Sequence, residues 1–431
     1  MKPSSEQAIA TTSIDIDSYP NEEKHQPNVP LLLQPSYARS KSITSDELQN
    51  LRMSLKWCAL DHSSSVGKFI SYVLFIFLTV AIPLLTSLFV RVPASASQDN
   101  NPFSFNKLVQ LPESALSIIG FFTLSRFFRR YGLRQLLFLD VLQDDSMYVR
   151  RGYSRELQKA FRYLACIILP SFFVELAHKI LLFLRVKISV PHITPDFPLN
   201  SVVFALVLIS WVYRTGVFLF VCVLFKLTCE LQILRFEGLH KLFEECGSDS
   251  SVIFREHVRI RRQLWVTSHR YRFFIISCLL TITVSQLSSL LLVLESKSDK
   301  TFFNSGDLVI CSAVQLSGFF LCLIGAARIT HRAQGIVSIA ARWHMLVTNA
   351  SGDESEQWKA SGSDSDSSDI YISVTPQLPS SFQTRQALVT YLQHNYGGIT
   401  LFGFLLDRGL LHTLFAFEFS LVLWILSMVA V

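Results

Sequence analysis

Seven apolar runs dominate this sequence, at residues 69–90, 108–128, 160–184, 199–227, 273–294, 308–327 and 410–431. About 20 apolar residues at about 1.5 Å each span the roughly 30 Å of hydrocarbon in a bilayer. In lipid every backbone N–H and C=O must be paired internally, and no run alternates with the period of a barrel strand, so each is expected to be a helix. Composition agrees. Half of the 431 residues are hydrophobic, 35 are Phe and 17% are charged, with a mean hydropathy of +0.36, more apolar than a soluble surface tolerates. The fold class is an all-α polytopic membrane protein. The second run, with Pro112 and Glu113 near one end, is the least regular.

Lys and Arg set the orientation. The flank 50–68 carries three, the connection 129–159 seven, 231–272 eight and 328–408 six, while each alternate connection carries two. The positive-inside rule then puts the N-terminus in the cytoplasm and the C-terminus outside, the reverse of a G-protein-coupled receptor. No signal peptide is expected before the first run, which itself serves as the insertion signal. None of the eight cysteines falls in an outer loop, so no disulfide framework is expected, and no CxxC spacing suggests zinc.

The soluble mass is expected inside. Residues 1–43 read as a disordered tail. Thr44-Ser45-Asp46-Glu47 is a capping box that opens a juxtamembrane amphipathic helix over 44–67. Spans one to six occupy 68–348, with helical cytoplasmic extensions at about 129–159 and 228–272. The second extension is expected to be a paired stalk whose facing residues are Leu227, Leu231, Leu234, Leu239 and Leu242 on one arm and Val258 and Leu264 on the other. Residues 349–381 set six carboxylates (Asp353, Glu354, Glu356, Asp364, Asp366, Asp369) against Lys359 in a Ser-rich setting, the composition of a disordered loop. Residues 382–431 read as a cytoplasmic helix, a Gly397-Gly398 break and the seventh span.

Ionisable residues inside spans are costly and mark functional or structural contacts. Glu175, His178 and Lys179 lie within one turn of the third span, and Arg214 sits near the middle of the fourth beside Trp211. Glu175 and Arg214 are expected to meet at similar depth. Two readings of Glu175, His178, Trp211 and Arg214 are open: a ligand pocket opening outward, or a salt bridge that fixes helix packing. No P-loop, HExxH, GxSxG or GxGxxG occurs and the eleven histidines have no ligand spacing, so neither an enzyme, nor a metal site, nor a cofactor is expected. The basic residues are accounted for by topology, which leaves no case for nucleic-acid binding.

The segments YGLRQLLFLDVLQDDSMYVRRGYSRELQKAFRYLA, FFVELAHKI, AQGIVSIAARWHM and FLLDRGLLHTLFAFEFSLVLWIL resemble the plant gustatory-receptor-like proteins, a family of unknown function that is distantly similar to the insect gustatory and odorant receptors. The likeness to the insect proteins rests chiefly on topology. It implies a homotetrameric, ligand-gated cation channel in the plasma membrane or an internal one, with a small-molecule ligand, a last helix lining a central pore, and a cytoplasmic helical anchor. The insect signature of the last helix, Thr-Tyr, five hydrophobic residues and Gln-Phe, falls here on Leu411-His412 and Glu418-Phe419, a partial match. On that alignment Glu418 is a candidate acidic ring, and Phe415, Phe419 and Leu423 are hydrophobic gate candidates. A hydrogen bond within one subunit is the other reading of Glu418. The alternative function is a non-conducting scaffold or signalling receptor that acts through its cytoplasmic helices and acidic loop. A transporter is disfavoured, because no paired, broken repeats are visible.

The orientation is testable at Asn349-Ala350-Ser351, a sequon on the expected inner side. Protein expressed in a eukaryotic cell should show no mobility shift at Asn349 on glycosidase treatment; a shift would reverse the topology.

Overall fold

A computed structural model describes residues 65–89, 102–132, 135, 137–138, 142, 145–185, 199–244, 249–295, 302–360, 379–395, 397–414, 416 and 420. Its elements are α1 (Ser65–Ile76), one π-helical turn (Phe77–Ala81), α2 (Ile82–Phe89), α3 (Pro102–Arg130), α4 (Met147–Arg185), α5 (Leu199–Glu244), α6 (Ser250–Glu295), α7 (Phe302–Ala360), α8 (Pro379–His394) and a two-stranded hairpin, β1 (Thr400–Leu401) and β2 (Phe404–Leu405). Helix resumes at residue 408.

Five of the seven apolar runs lie on helices long and apolar enough to cross a bilayer, within Val66–Leu88, Met147–Leu181, Ser201–Glu244, Ser250–Ser288 and Val309–Asn349. The run 108–128 is helical within α3, where Pro112, Glu113 and Arg126 dilute it. Most of the run 410–431 lies outside the described residues, as do the expected tail at 1–43 and most of the juxtamembrane helix at 44–67.

The break between α1 and α2 has a local cause. Pro83 has no N–H to give the Thr79 carbonyl, and its ring would strike that carbonyl in a regular α-helix. The chain widens into a π turn, in which the Ile82 N–H bonds back to Phe77 O rather than to Leu78 O. Two carbonyls are thereby freed where no water can reach them. Ser210 Oγ on α5 donates to Leu78 O at 2.5 Å, and Ser114 Oγ on α3 donates to Thr79 O at 3.3 Å. The kink thus ties three helices together.

The centre of the bundle is α5. Every side chain from Val217 to Ile233 is buried except Lys226, which is half-buried and places its ammonium 3.3 Å from the Tyr163 ring centroid. α7 packs most extensively along α5, followed by α4 and α3. On α4, by contrast, Leu169, Phe173, Val174, Ile180 and Leu181 face outward, as lipid contacts do. Small residues let α7 approach: a Cβ at Gly318 would lie 2.6 Å from Leu219 Cδ2 and 2.8 Å from Phe218 Cε1. Aromatic rings fill the wider gaps, with Phe75 stacked on Phe121 at 3.9 Å and Tyr271 edge-on to Phe127 at 5.0 Å.

The end of the bundle where α5 stops and α6 starts differs from the expected two-arm stalk. α5 reaches Glu244 and α6 starts at Ser250, but α7 and α8 pack with them as a layered bundle. Leu227, Leu231, Leu239 and Leu264 are buried in it, Leu234 and Leu242 are half-buried, and Val258, expected on the facing stripe, points outward at 40% exposure. The reason is that four helices share the apolar surface that two were expected to share, and the buried stripe of α6 at this end runs along Ile253, His257, Ile260 and Leu264, which leaves Val258 outside. Helix also extends into the acidic segment, since α7 continues to Ala360 and α8 begins at Pro379; residues 361–378 lie outside the described ones. The extension over 129–159 is helical to Arg130 and again from Met147 onward.

The glycine break lies where it was expected. After α8 the chain passes Gly397, whose Cβ would meet Ala333 and Phe236, and Gly398, whose Cβ would be 2.6 Å from Leu405 Cδ1. It then turns through Phe402 (φ 49°) and Gly403 (φ 93°), the two positive φ values that a type I′ hairpin requires.

Gly318→Ala should destabilise by about 1–3 kcal/mol, because Leu219 and Phe218 must give way. Gly335→Ala, with open space around its Cβ, should be neutral or stabilising by up to about 1 kcal/mol. Thermal unfolding in detergent, followed by Trp fluorescence, measures both; equal shifts would contradict the close α5–α7 contact.

Candidate functional site

Ionisable side chains meet inside the bundle, among α3, α4, α5 and α7. Arg214 Nη2 lies 3.1 Å from Glu113 Oε2, and Trp211 Nε1 donates to Glu113 Oε1 at 3.1 Å. Arg214 Nη1 donates to Ser114 Oγ at 3.3 Å, which joins the pair to the freed Thr79 carbonyl. From α7 the buried Cys311 thiol lies close to Glu113. Gln315 Nε2 donates to Cys311 Sγ at 2.7 Å. Glu175 pairs with Lys179 Nζ at 3.4 Å, and His178 is buried beside them on α4.

The four residues singled out in the sequence, Glu175, His178, Trp211 and Arg214, are all buried, at 2–4% exposure. The expected direct Glu175–Arg214 pair does not form. Arg214 takes Glu113 instead, and Glu175 takes the cation one turn along its own helix. The physical reason is register. Glu113 is the twelfth residue of α3 and Arg214 the sixteenth of α5, counted from the helix starts. At about 1.5 Å per residue the two are within about 6 Å in depth, within reach of a long guanidinium. Glu113 is the residue that sequence reasoning missed. A carboxylate one residue after Pro112 in an apolar run was the available signal. Phe415, Glu418, Phe419 and Leu423 lie outside the described residues.

A second charged network lies beyond the apolar runs of α5 and α6 and pins Asp145, just before α4. Asp145 Oδ2 accepts from Arg235 Nε at 2.9 Å and Nη2 at 2.7 Å, and its Oδ1 pairs with Arg259. Arg235 Nη1 also donates to Gln263. The Asp145 and Arg235 side chains are essentially sealed from solvent, and burial pushes the Arg235 guanidinium below its ordinary pKa while Asp145 pulls it up. Around the same bundle, Arg328 pairs with Glu230 at 2.7 Å and Arg332 with Glu237 at 3.4 Å. His257 stands edge-on to Tyr391 on α8, and burial lowers its pKa to about 4, which keeps the ring neutral. Among the described residues no three His, Cys, Asp or Glu side chains are arranged to hold a metal ion.

These features define a multi-pass helical membrane protein with a buried polar centre and a helical bundle that extends beyond the apolar runs. The chain belongs to the family described as "Protein of unknown function (DUF3537)", whose profile matches residues 46–417. No curated protein matches it. Among solved structures its fold is similar to that of the insect olfactory receptor OR5 from Machilis hrabei, at 14% identity and a TM-score of 0.57, over 89% of this chain and 100% of that one. The chain shares the fold of this insect olfactory receptor, as the resemblance to the insect proteins implies.

Breaking a buried ion pair costs about 3–5 kcal/mol, whereas removing both partners is often close to neutral. Arg214→Met and Glu113→Gln should each lower the melting temperature of the detergent-solubilised protein, and the double variant should lose less than either. Additive losses would mean that the two side chains act separately.

Proposed function

We propose that this protein is a ligand-gated cation channel: a plant gustatory-receptor-like chemoreceptor of seven transmembrane helices, assembled as a homotetramer in the plasma membrane, N-termini cytoplasmic and C-termini outside. The observation that carries the reading is likeness along the whole length of an insect olfactory receptor, with which it shares one fold. The shape of the C-terminal region supports it. α8 packs on α6 and α7, the Gly397–Gly398 hairpin interrupts the chain, and helix resumes at residue 408 toward the last apolar run. Such a split suits a helix that both anchors subunits and lines a pore.

In this reading Glu175, His178, Trp211 and Arg214, now with Glu113, contact a small molecule near the outer half of the bundle. Its differential binding to closed and open states shifts the gate. Phe415, Phe419 and Leu423 close the pore by dewetting, and four copies of Glu418 attract cations.

Native mass spectrometry and whole-cell current recording test the proposal together. The expected results are a tetramer and a cation current whose selectivity falls in Glu418→Gln. A strict monomer would remove the central pore and leave a scaffold acting through its cytoplasmic helices. A tetramer with unchanged selectivity in the variant would remove Glu418 from the conduction path.

A further inference from the structure

A cleft opens between the end of α3 and the middle of α6, at the level where α6 passes from charged to apolar sequence at Arg272-Phe273. Four cationic or titratable side chains line it: Arg126 and Arg130 from α3, His269 and Arg270 from α6. The buried rings of Phe127 and Phe274 form its floor.

Two features set this cleft apart from ordinary topology-setting arginines. First, like charges converge on one ring: the Arg270 guanidinium lies 4.1 Å and that of Arg130 5.9 Å from the Tyr131 centroid. Arg270 also stacks 4.8 Å from the Phe138 ring. Second, among the described residues none of the four side chains has a carboxylate partner. The single protein hydrogen bond of Arg270 goes to the backbone carbonyl of Gln135 at 3.3 Å, and its Nε is buried without a partner. The cytoplasmic arginines deeper in the same protein behave differently, since Arg235 and Arg259 share Asp145, and Arg328 and Arg332 take Glu230 and Glu237. Stacked guanidiniums held side by side without an anion repel one another, and the planar fork that aromatic stacking orients is the geometry that phosphate oxygens accept.

The surroundings indicate where that anion comes from. Phe273 is 51% exposed beside the cleft, and Phe402 of the hairpin packs on it with the Arg272 guanidinium over both rings. Trp265, one turn before His269, is 66% exposed. Exposed aromatic rings mixed with arginines at the end of an apolar helix are the composition of a membrane interface. A basic pocket between helices at that level meets lipid headgroups.

We propose that this cleft binds the phosphorylated headgroup of a polyanionic lipid of the phosphatidylinositol phosphate type, with Arg126, Arg130 and Arg270 on the phosphates and Tyr131 holding two of the guanidiniums in place. The leaflet is the cytoplasmic one on the orientation given by the Lys and Arg counts. Binding itself depends neither on that orientation nor on channel activity.

The test uses the full chain in a neutral detergent, titrated with short-chain phosphatidylinositol bisphosphate while thermal unfolding is followed. Parallel titrations use short-chain phosphatidylcholine, inositol trisphosphate and inorganic phosphate. Saturable stabilisation by the phosphoinositide, absent with phosphatidylcholine, is expected, with the two soluble anions at least tenfold weaker. At about fivefold per arginine, Arg126→Gln/Arg130→Gln should weaken binding about 25-fold. Arg126→Lys/Arg130→Lys, which keeps the charge that sets topology but loses the fork, should weaken it about fivefold. Arg262→Gln, an exposed arginine on α6 outside the cleft, should bind as the unaltered protein does. Inorganic phosphate or inositol trisphosphate binding as tightly as the lipid would overturn a lipid site in favour of a soluble anion. Wild-type affinity in the Gln pair would overturn the cleft altogether. If the Gln pair is not monodisperse, the Lys pair decides, and unchanged affinity there overturns the proposal.

Discussion

A backbone carbonyl released inside a membrane has no water to turn to, and the packing of the first helices follows from that constraint. Pro83 and the π turn before it free the carbonyls of Leu78 and Thr79. Ser210 and Ser114 satisfy them, which holds α5 and α3 against the kink. Ser114 in turn accepts from Arg214, whose charge is met by Glu113, and Glu113 accepts from Trp211, with the buried Cys311 of α7 close by. A proline in one helix thereby fixes the place of an ion pair between two others. The chain of contacts ends on α7, the helix with which α5 shares its longest contact.

The same logic, with a different solvent, governs the charged end of the bundle. Asp145 lies just before α4, on a connection whose Leu137, Phe138 and Leu142 are buried. Arg235 and Arg259 hold it against α5 and α6. Such a pair contributes little net stability after desolvation, but it is costly to disturb and specifies where a loop must sit. It also sets Arg235 and Arg259, which share a carboxylate, apart from Arg130 and Arg270, which meet at the Tyr131 ring.

Much of this was legible in the sequence because lipid punishes errors severely. Helix length and the need for internal backbone pairing leave few alternatives for an apolar run, so α1, α4, α5, α6 and α7 could be read directly. The break at Gly397-Gly398 was readable because a left-handed or closely packed turn needs residues without a Cβ. What was not legible is partner choice. Glu175 and Arg214 are both buried as expected, yet each took another partner. Val258 belonged to a plausible stripe and still faces outward, because the stripe assumed one neighbouring helix and the fold supplies several.

By itself the sequence determined that the chain is a helical membrane protein, that five of its apolar runs can span a bilayer, and that Glu175, His178 and Arg214 are buried. Those properties follow from one-dimensional patterns weighed against a uniform solvent, water or lipid. Only the tertiary structure decided that Glu113 rather than Glu175 neutralises Arg214, that α5 is the central helix, and that Arg130 and Arg270 share one tyrosine ring. The physical reason is that pairing depends on depth, rotation and the approach distance between helices far apart in sequence. Small residues such as Gly318 set that approach only when the opposite helix is already in place.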